Sequence, residues 1–136
     1  MLAGIFGCAG LSLSSEEKAF FAKTRPIGLI LFARNCATPE QIRALVDEFR
    51  ATVETPDSLV LIDQEGGRVV RLRPPHWQPR PAAKTLTSAQ AVYDNALSIA
   101  HELSELGITV NCAPCADLLI AGADDIIGDR AFNADP

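Results

Sequence analysis

The 136-residue sequence lacks several features that mark common protein classes. It has no apolar run near the roughly 20 residues that a membrane-spanning helix needs. Its first basic residue is Lys18, so the positively charged start of a secretory signal peptide is missing. We therefore expect no membrane partner and no export, and we predict a cytoplasmic protein.

Positive charge is also scarce. Twelve Lys and Arg residues stand against 17 Asp and Glu residues, which gives a net charge of -5. Nucleic-acid binding depends on clustered Lys and Arg, so no nucleic-acid partner is expected. The Gly-Gly-Arg segment at residues 66–68 has neither the phosphate-loop spacing nor the dinucleotide-binding spacing of glycines. We therefore expect no cofactor.

The four cysteines form no recognisable metal or disulfide framework. Without a signal peptide, disulfide bonds are not expected. The pair Cys112-Ala-Pro-Cys115 has the spacing of half a zinc site or of a redox pair. A structural zinc site needs a second close pair of ligands, whereas Cys8 and Cys36 are isolated in the sequence. We predict that no metal is bound and that the cysteines are small buried apolar residues.

Hydrophobic residues make up 48% of the chain and charged residues 21%, the balance of a globular domain. Short apolar runs predict strands over residues 3–8, 28–32, 59–62 and 108–112. Between them, capping residues at Ser14, Thr38 and Thr87 predict the starts of three helices. This β-α-β-α-β-α-β order predicts a parallel sheet, either doubly wound or part of a barrel of eight strands and about 250 residues.

Ligands of parallel α/β folds meet the carboxyl ends of the strands. Four polar residues lie at or just beyond the ends of predicted strands: Asn35, Asp63, Asn111 and Asp117. Asp63 is the most informative, because it ends an apolar strand and begins the sequence Asp-Gln-Glu-Gly-Gly-Arg-Val-Val-Arg over residues 63–71. Its carboxylate can accept hydrogen bonds from two neighbouring hydroxyls of a ligand. The alternative is a capping Asp, a turn and a surface ion pair.

The rest of the segment adds to that interpretation. Gly66 and Gly67 allow a sharp turn and close approach of a ligand. Arg68 and Arg71 supply donors that suit hydroxyl, carbonyl or carboxylate groups. Further along, Arg130 becomes a site residue only if its irregular loop folds over the strand ends.

Four segments resemble bacterial β-N-acetylhexosaminidases of glycoside hydrolase family three. They are Gly-Leu-Ile-Leu-Phe-Ala-Arg-Asn (28–35), Ile-Asp-Gln-Glu-Gly-Gly-Arg-Val-Val-Arg (62–71), Ala-Pro-Cys-Ala-Asp (113–117) and Ile-Gly-Asp-Arg-Ala-Phe-Asn-Ala-Asp-Pro (127–136). The resemblance implies the N-terminal half of a (β/α)₈ TIM barrel. It also implies release of terminal N-acetylglucosamine, with retention, from peptidoglycan fragments during cell-wall recycling. Family substrate-binding positions fall on Asp63, Arg71 and Arg130.

The same resemblance places the catalytic residues elsewhere. In the family, the acid/base lies in a Lys-His-Phe-Pro-Gly-His-Gly loop and an Asp nucleophile follows it, and neither segment occurs in residues 1–136. We therefore expect residues 1–136 to be a partial glycosidase domain that is inactive alone. The enzyme to which it belongs is expected to be a monomer that acts on muropeptides containing N-acetylglucosamine. Two alternatives stay open: a β-glucosidase-like relative, and a non-catalytic sugar-binding half-barrel that needs a second chain.

Overall fold

The structure is a computed structural model that describes residues 2–122 and 124–134. Its strands are β1 (Leu2–Phe6), β2 (Pro26–Leu31), β3 (Leu59–Ile62) and β4 (Val110–Asn111). Its α-helices are α1 (Ser15–Thr24), α2 (Pro39–Val53) and α3 (Ala89–Glu105). Short 3-10 turns lie at Ala33–Asn35, Ala83–Thr85 and Gly128–Arg130.

The strand order selects one of the two predicted architectures. The sheet runs β1-β2-β3-β4, and each neighbouring pair is parallel. Each new strand is added on the same side, so right-handed crossovers place the helices on one face of the sheet. A doubly wound sheet reverses its direction and carries helices on both faces. The predicted parallel α/β fold is confirmed, with the strand order of half a barrel.

Two helices begin where the capping residues predicted. The Ser14 Oγ accepts a hydrogen bond from the Glu17 N–H at 3.2 Å, and the Glu17 carboxylate accepts from the Ser14 N–H at 2.8 Å. The Thr38 Oγ1 caps α2 by accepting from the Gln41 N–H at 3.2 Å, whereas the Gln41 side chain accepts from the Ala37 N–H at 2.9 Å. The predicted apolar stripe of α2 is buried: Ile42, Leu45, Val46, Phe49 and Val53.

The start of α3 differs by one residue from the prediction. Thr87 was the predicted cap, but the Ser88 Oγ accepts the hydrogen bond, from the Ala91 N–H at 3.2 Å. The Gln90 side chain, three residues after Thr87, donates to Asp94 at 2.8 Å. Both residue types cap helices and Ser is the more favoured of the two, so a single position separates the prediction from the observed cap.

The outer strands are shorter than predicted. β1 ends at Phe6 rather than at residue 8, and Cys8 turns into the core with 2% exposure. The ladder between β3 and β4 joins only Leu61 with Val110 and Ile62 with Asn111. The Cys112 N–H still donates to the Ile62 carbonyl at 2.8 Å, so the end of β4 remains fixed against β3.

The core lies between the sheet and its helices, with Phe21 of α1 and Phe49 of α2 in edge-to-face contact at 5.4 Å. Trp77, in a proline-rich loop over residues 73–86, joins this core with 6% exposure. Among the described residues, none of the helices has the length and apolar character to cross a bilayer. Asp135 and Pro136, which end the last of the four family-like segments, lie outside the described residues.

Candidate active site

Asp63 and Arg71 meet at the carboxyl end of β3. Asp63 is the first residue after the strand, and its Oδ2 accepts a hydrogen bond from Arg71 Nη2 at 2.7 Å. Their side chains are 24% and 22% exposed, so the pair is shielded but reachable from solvent. The two predicted residues thus share one site, on the side of the sheet where ligands of such folds bind.

Gln64 holds the backbone at Arg71 against the carboxyl end of β3. Its side chain is fully buried, and Oε1 accepts hydrogen bonds from the Arg71 N–H at 2.8 Å and the Leu72 N–H at 3.1 Å. The backbone of residues 71–72 is therefore tied to the end of β3. The sequence analysis missed this role, although an amide between two carboxylates at a strand end is a signal for it.

The side chain of Asn111 extends the hydrogen bonding between β3 and β4 by one residue beyond their last ladder pair. Its Oδ1 accepts from the Gln64 N–H at 2.9 Å, and its Nδ2 donates to the Gln64 carbonyl at 3.0 Å. The side chain thereby replaces a strand neighbour for the backbone at the site. Asn35 is likewise structural: it is fully buried and donates to the Cys8 and Gly10 carbonyls at 3.1 and 2.7 Å.

Arg130 reaches the same strand end from 65 residues away. Its Nε donates to Glu65 Oε2 and its Nη2 donates to Glu65 Oε1, both at 2.8 Å. This two-pronged geometry is the strongest form of an arginine–carboxylate contact. The hydrogen bonds with Glu65 raise the pKa of Arg130 above its ordinary value, so its charge is permanent. The loop that carries Arg130 does fold over the strand ends.

Arg68 holds that loop rather than facing the site. Its Nη2 donates to the carbonyls of Asp125 and Ile126 at 2.5 and 2.8 Å, and its Nε lies 3.2 Å from Asp129 Oδ1. The prediction that Arg68 supplies donors to a ligand is therefore wrong, because loop carbonyls and a carboxylate occupy them. Asp117, the other polar strand-end residue, is exposed and close enough to Arg130 to favour its charged form.

Gly66 and Gly67 were predicted to allow close approach of a ligand, but they allow close approach of another part of the chain. Gly66 and Gly67 have φ angles of 108° and 55°, which strain any residue with a Cβ. A Cβ at Gly66 would lie 2.1 Å from the Pro81 carbonyl oxygen, and one at Gly67 would lie 2.7 Å from the Ala82 Cβ. The backbone that approaches is the proline-rich loop, not a ligand.

The cysteines are free, and they are less buried than predicted. Only Cys8 is buried, Cys36 and Cys115 are partly exposed and Cys112 is exposed. The Cys112 thiol adjoins the site: burial and then the nearby Asp63 carboxylate raise its pKa. Burial raises the pKa of Cys36 to about 12, so that thiol stays protonated. The described residues contain no cluster of three or more His, Cys, Asp or Glu side chains that could hold a metal ion.

A cavity of about 770 Å³ lies beside this site, along α3. Its walls are mainly apolar, and Glu65 and Arg130 stand at its polar side. Asp63 and Arg71 do not line it. The apolar walls do not suit sugar hydroxyls, so we place the polar site at the two ion pairs, of which the Glu65–Arg130 pair borders the cavity.

The two ion pairs define what the site can do. Asp63 and Glu65 each accept short hydrogen bonds from an arginine, so the two carboxylates and two guanidiniums cancel in charge. Cleavage of a glycosidic bond with retention needs a nucleophile and an acid/base on opposite sides of that bond. Both carboxylates at this strand end are engaged in ion pairs. The described part of the site is therefore suited to binding a neutral, polar ligand.

Comparison with known proteins finds relatives over nearly the whole chain. Residues 6–136 match the family described as glycosyl hydrolase family 3 N terminal domain. The chain is 41% identical to a protein named beta-hexosaminidase from Alkalilimnicola ehrlichii, over 97% of this chain and 40% of the relative. It is 38% identical to the beta-hexosaminidase of Methylococcus capsulatus, with the same coverage of 97% and 40%. The chain thus spans about 40% of the length of these curated relatives.

Solved structures give the same result. NagZ from Neisseria gonorrhoeae in complex with N-trifluoroacetyl-D-glucosamine matches with a TM-score of 0.85 and 31% identity, over 96% of this chain and 40% of that one. A glycoside hydrolase family 3 beta-N-acetylglucosaminidase from a Paenibacillus species matches with a TM-score of 0.83 and 32% identity, over 94% and 25%. These likenesses cover almost every element described above.

Proposed function

The chain belongs to glycosyl hydrolase family 3, and from this premise we propose that it is part of a β-N-acetylhexosaminidase. The reaction we propose is removal of a terminal N-acetylglucosamine with retention of configuration at the anomeric carbon. In this proposal Asp63, Arg71 and Arg130 bind the sugar. The observation that carries it is the convergence of two arginine–carboxylate pairs at the end of β3.

The chemistry of that convergence supports a sugar ligand. The Asp63 carboxylate can accept hydrogen bonds from sugar hydroxyls while its Oδ2 also receives Arg71. Arginine N–H groups that remain free suit hydroxyl and amide oxygens, which are the oxygens of an acetamido sugar. The paired charges leave no net attraction for phosphate. A half-shielded site strengthens each of these hydrogen bonds relative to water.

The narrower substrate is also a proposal. The curated relatives carry the name beta-hexosaminidase, and one solved relative was crystallised with an N-trifluoroacetylated glucosamine. We propose peptidoglycan fragments that end in N-acetylglucosamine as the substrate, within cell-wall recycling in the cytoplasm. The enzyme would act as a monomer and without a cofactor.

The division of labour along the protein follows from the site. Residues 1–136 supply sugar-binding groups, and we propose that the nucleophile and the acid/base come from sequence beyond residue 136. Asp63 and Glu65 are held in ion pairs, so neither carboxylate is placed as a free nucleophile. Residues 1–136 then form a partial barrel domain of the glycosidase.

The test uses the full-length protein that contains this sequence, with aryl β-N-acetylglucosaminide and aryl β-glucoside as paired substrates. We expect turnover of the N-acetylglucosaminide to exceed that of the glucoside by at least about tenfold. The glucoside lacks the acetamido group, so the protein groups that would hydrogen-bond to it would be left unpaired. NMR of the first-formed product should show the β-anomer. Preference for the glucoside would favour the β-glucosidase-like alternative. Binding without turnover of either substrate would favour the non-catalytic half-barrel.

A muropeptide assay then tests the finer proposal. Purified peptidoglycan fragments with and without a terminal N-acetylglucosamine are incubated with the same protein, and release of the free sugar is followed by chromatography. Release should occur only from the first set. An enzyme that cleaves the aryl substrate but neither set of fragments would contradict the recycling role and leave the hydrolase intact.

A further inference from the structure

The contact between Glu65 and Arg130 is the most constrained ion pair at the site. Glu65 follows Asp63 by two residues, and its side chain is only 11% exposed, against 26% for Arg130. Both carboxylate oxygens receive a guanidinium nitrogen at 2.8 Å. A planar fork with two parallel hydrogen bonds fixes the orientation of the guanidinium as well as its distance.

The hydrogen-bond inventory of Arg130 shows what remains for a ligand. A guanidinium carries five N–H donors. Nε and one N–H of Nη2 are directed to Glu65, and Nη1 donates to the Ile126 carbonyl at 3.4 Å. One N–H on each of Nη1 and Nη2 is thus available to neutral acceptors such as hydroxyl or acetamido oxygens.

Charge adds a second consequence. An arginine without a partner favours carboxylate or phosphate groups, which pair with it two-pronged. At this site Glu65 already neutralises Arg130, as Asp63 neutralises Arg71. The site then offers oriented donors without a net positive charge.

We propose that Glu65 is the positioning residue that holds Arg130 in the sugar site and that its charge makes the site select uncharged over anionic sugars. The proposal rests on the proposed function, because it takes Arg130 to be a sugar-binding residue. It assigns a role to a residue that the sequence analysis did not place in the site.

Two substitutions separate geometry from charge in the full-length protein. Glu65→Gln keeps the length of the side chain but removes the negative charge and one acceptor oxygen. Glu65→Asp keeps the charge but shortens the reach to Arg130. We expect each to raise KM for the aryl N-acetylglucosaminide by about tenfold, while kcat changes by less than about threefold, because only binding through Arg130 is weakened.

Charge selectivity distinguishes the two variants. The competing ligands are N-acetylglucosamine and its C6 uronic-acid analogue, and the measured quantity is the ratio of their inhibition constants. In Glu65→Gln the ratio should shift by at least about threefold toward the uronic acid, the effect of one uncompensated charge several ångströms away in water-like surroundings. In Glu65→Asp it should stay at the wild-type value. A general loss of folding would not produce this split.

The matched control is Glu54→Gln. Glu54 caps the end of α2, at the opposite end of the strands, and its carboxylate forms a 3.8 Å exposed ion pair with Arg25. The chemical change is the same, a glutamate that loses its charge beside an arginine. Neither KM nor the selectivity ratio should change.

A double-mutant cycle completes the test. If Glu65 acts through Arg130, then Glu65→Gln should raise KM by less than about twofold in an Arg130→Gln background, since interacting residues are not additive. Independent effects in the cycle, or an unchanged selectivity ratio in Glu65→Gln, would overturn the proposal. A wild-type protein that does not bind N-acetylglucosamine at all would instead overturn the proposed function, so the two failures are distinguishable.

Discussion

At the scale of single residues, the end of β3 gives three consecutive polar side chains three different tasks. Asp63 pairs with Arg71 on the open side, Gln64 ties the returning backbone to the strand, and Glu65 receives Arg130. Each task depends on its position in the pleat and turn rather than on residue type alone. A change at one of the three should therefore have its own signature.

Asp63→Ala should lower kcat/KM of the full-length enzyme for an aryl N-acetylglucosaminide by at least about 100-fold. Loss of charged hydrogen bonds to two sugar hydroxyls costs roughly 3 kcal/mol, and each 1.4 kcal/mol corresponds to a factor of ten. Steady-state kinetics measures this, with circular dichroism as the check on folding. Near-wild-type kinetics in a folded variant would show that Asp63 is structural.

The thiols give a second prediction at this scale. We expect Cys112 and Cys115 to be reduced in the full-length protein and to bind no metal, because the second ligand pair of a structural zinc site is missing. Thiol titration and metal analysis of the purified protein measure both properties. Stoichiometric zinc that disappears in the Cys115→Ser variant would contradict this prediction.

Which site residues the sequence could reveal depended on how local their partners are. Asp63 and Arg71 lie only eight positions apart; both were expected at the site, and they form an ion pair there. Arg68, in the same segment, contacts Asp125 and Ile126 instead, because the direction of a side chain in a turn depends on the backbone conformation at that residue. The Glu65–Arg130 pair spans 65 residues, and no local pattern encodes a contact of that range. Binding of sugar by these residues stays a prediction.

At the scale of elements, one carboxylate of α2 contacts both α1 and the segment that precedes it. Glu48 of α2 accepts a hydrogen bond from the Leu13 N–H at 2.8 Å and pairs with Lys18 of α1 at 2.7 Å. The hydrogen bond from Leu13 is the main cause that lowers the pKa of Glu48. A lowered pKa in the folded state means that the ionised form stabilises the fold.

Glu48→Gln should therefore lower the free energy of unfolding of the full-length protein by about 1 kcal/mol at pH 7. The sign follows from linkage: the stabilisation is present above the unfolded pKa of Glu and is lost as the pH falls through the lower folded value. Urea titrations at pH 7, 5 and 4 should show nearly the same difference at pH 7 and 5 and a smaller one at pH 4, which lies below the ordinary pKa of Glu. Asp47→Asn, a neighbouring exposed carboxylate on α2, is the control. A difference that stays constant with pH would contradict the assignment to the Glu48 charge.

The elements also show what the sequence could settle. α2 begins where its cap predicted, because the cap, the N-terminal proline and the apolar spacing are all local signals. β4 was predicted over five residues and pairs over two. The extent of a strand ladder depends on its neighbour, and the register with β3 cannot be read from the sequence of β4 alone.

At the scale of the whole molecule, the described sheet has two open edges and an apolar flank. β1 and β4 lie at the edges, and Leu2 and Ile5 of β1 are 44% and 41% exposed. On α3, Tyr93 is 61% exposed, and the helix lines the apolar cavity. Open strand edges and exposed apolar faces favour association with another chain or another part of the same chain.

A polypeptide of residues 1–136 made by itself should have no glycosidase activity and should fold poorly as a monomer. The chemical reason is that a sugar held by Asp63 and Arg130 would meet no nucleophile and no acid to protonate its leaving group. The structural reason is the unpaired edge at β4 and the exposed apolar surface of α3, which would drive aggregation or dimerisation.

The test compares this polypeptide with the full-length protein, expressed and purified in the same way. The longer protein should hydrolyse an aryl N-acetylglucosaminide and elute as a monomer, because downstream sequence would supply both the catalytic groups and the cover for β4 and α3. The short one should show no turnover and should elute as aggregates or dimers. Turnover by the short polypeptide would refute the chemical argument. A monodisperse monomer with a cooperative melting transition would refute the structural argument. The open edge of β4 and the apolar cavity of about 770 Å³ along α3 would then be tolerated without a partner.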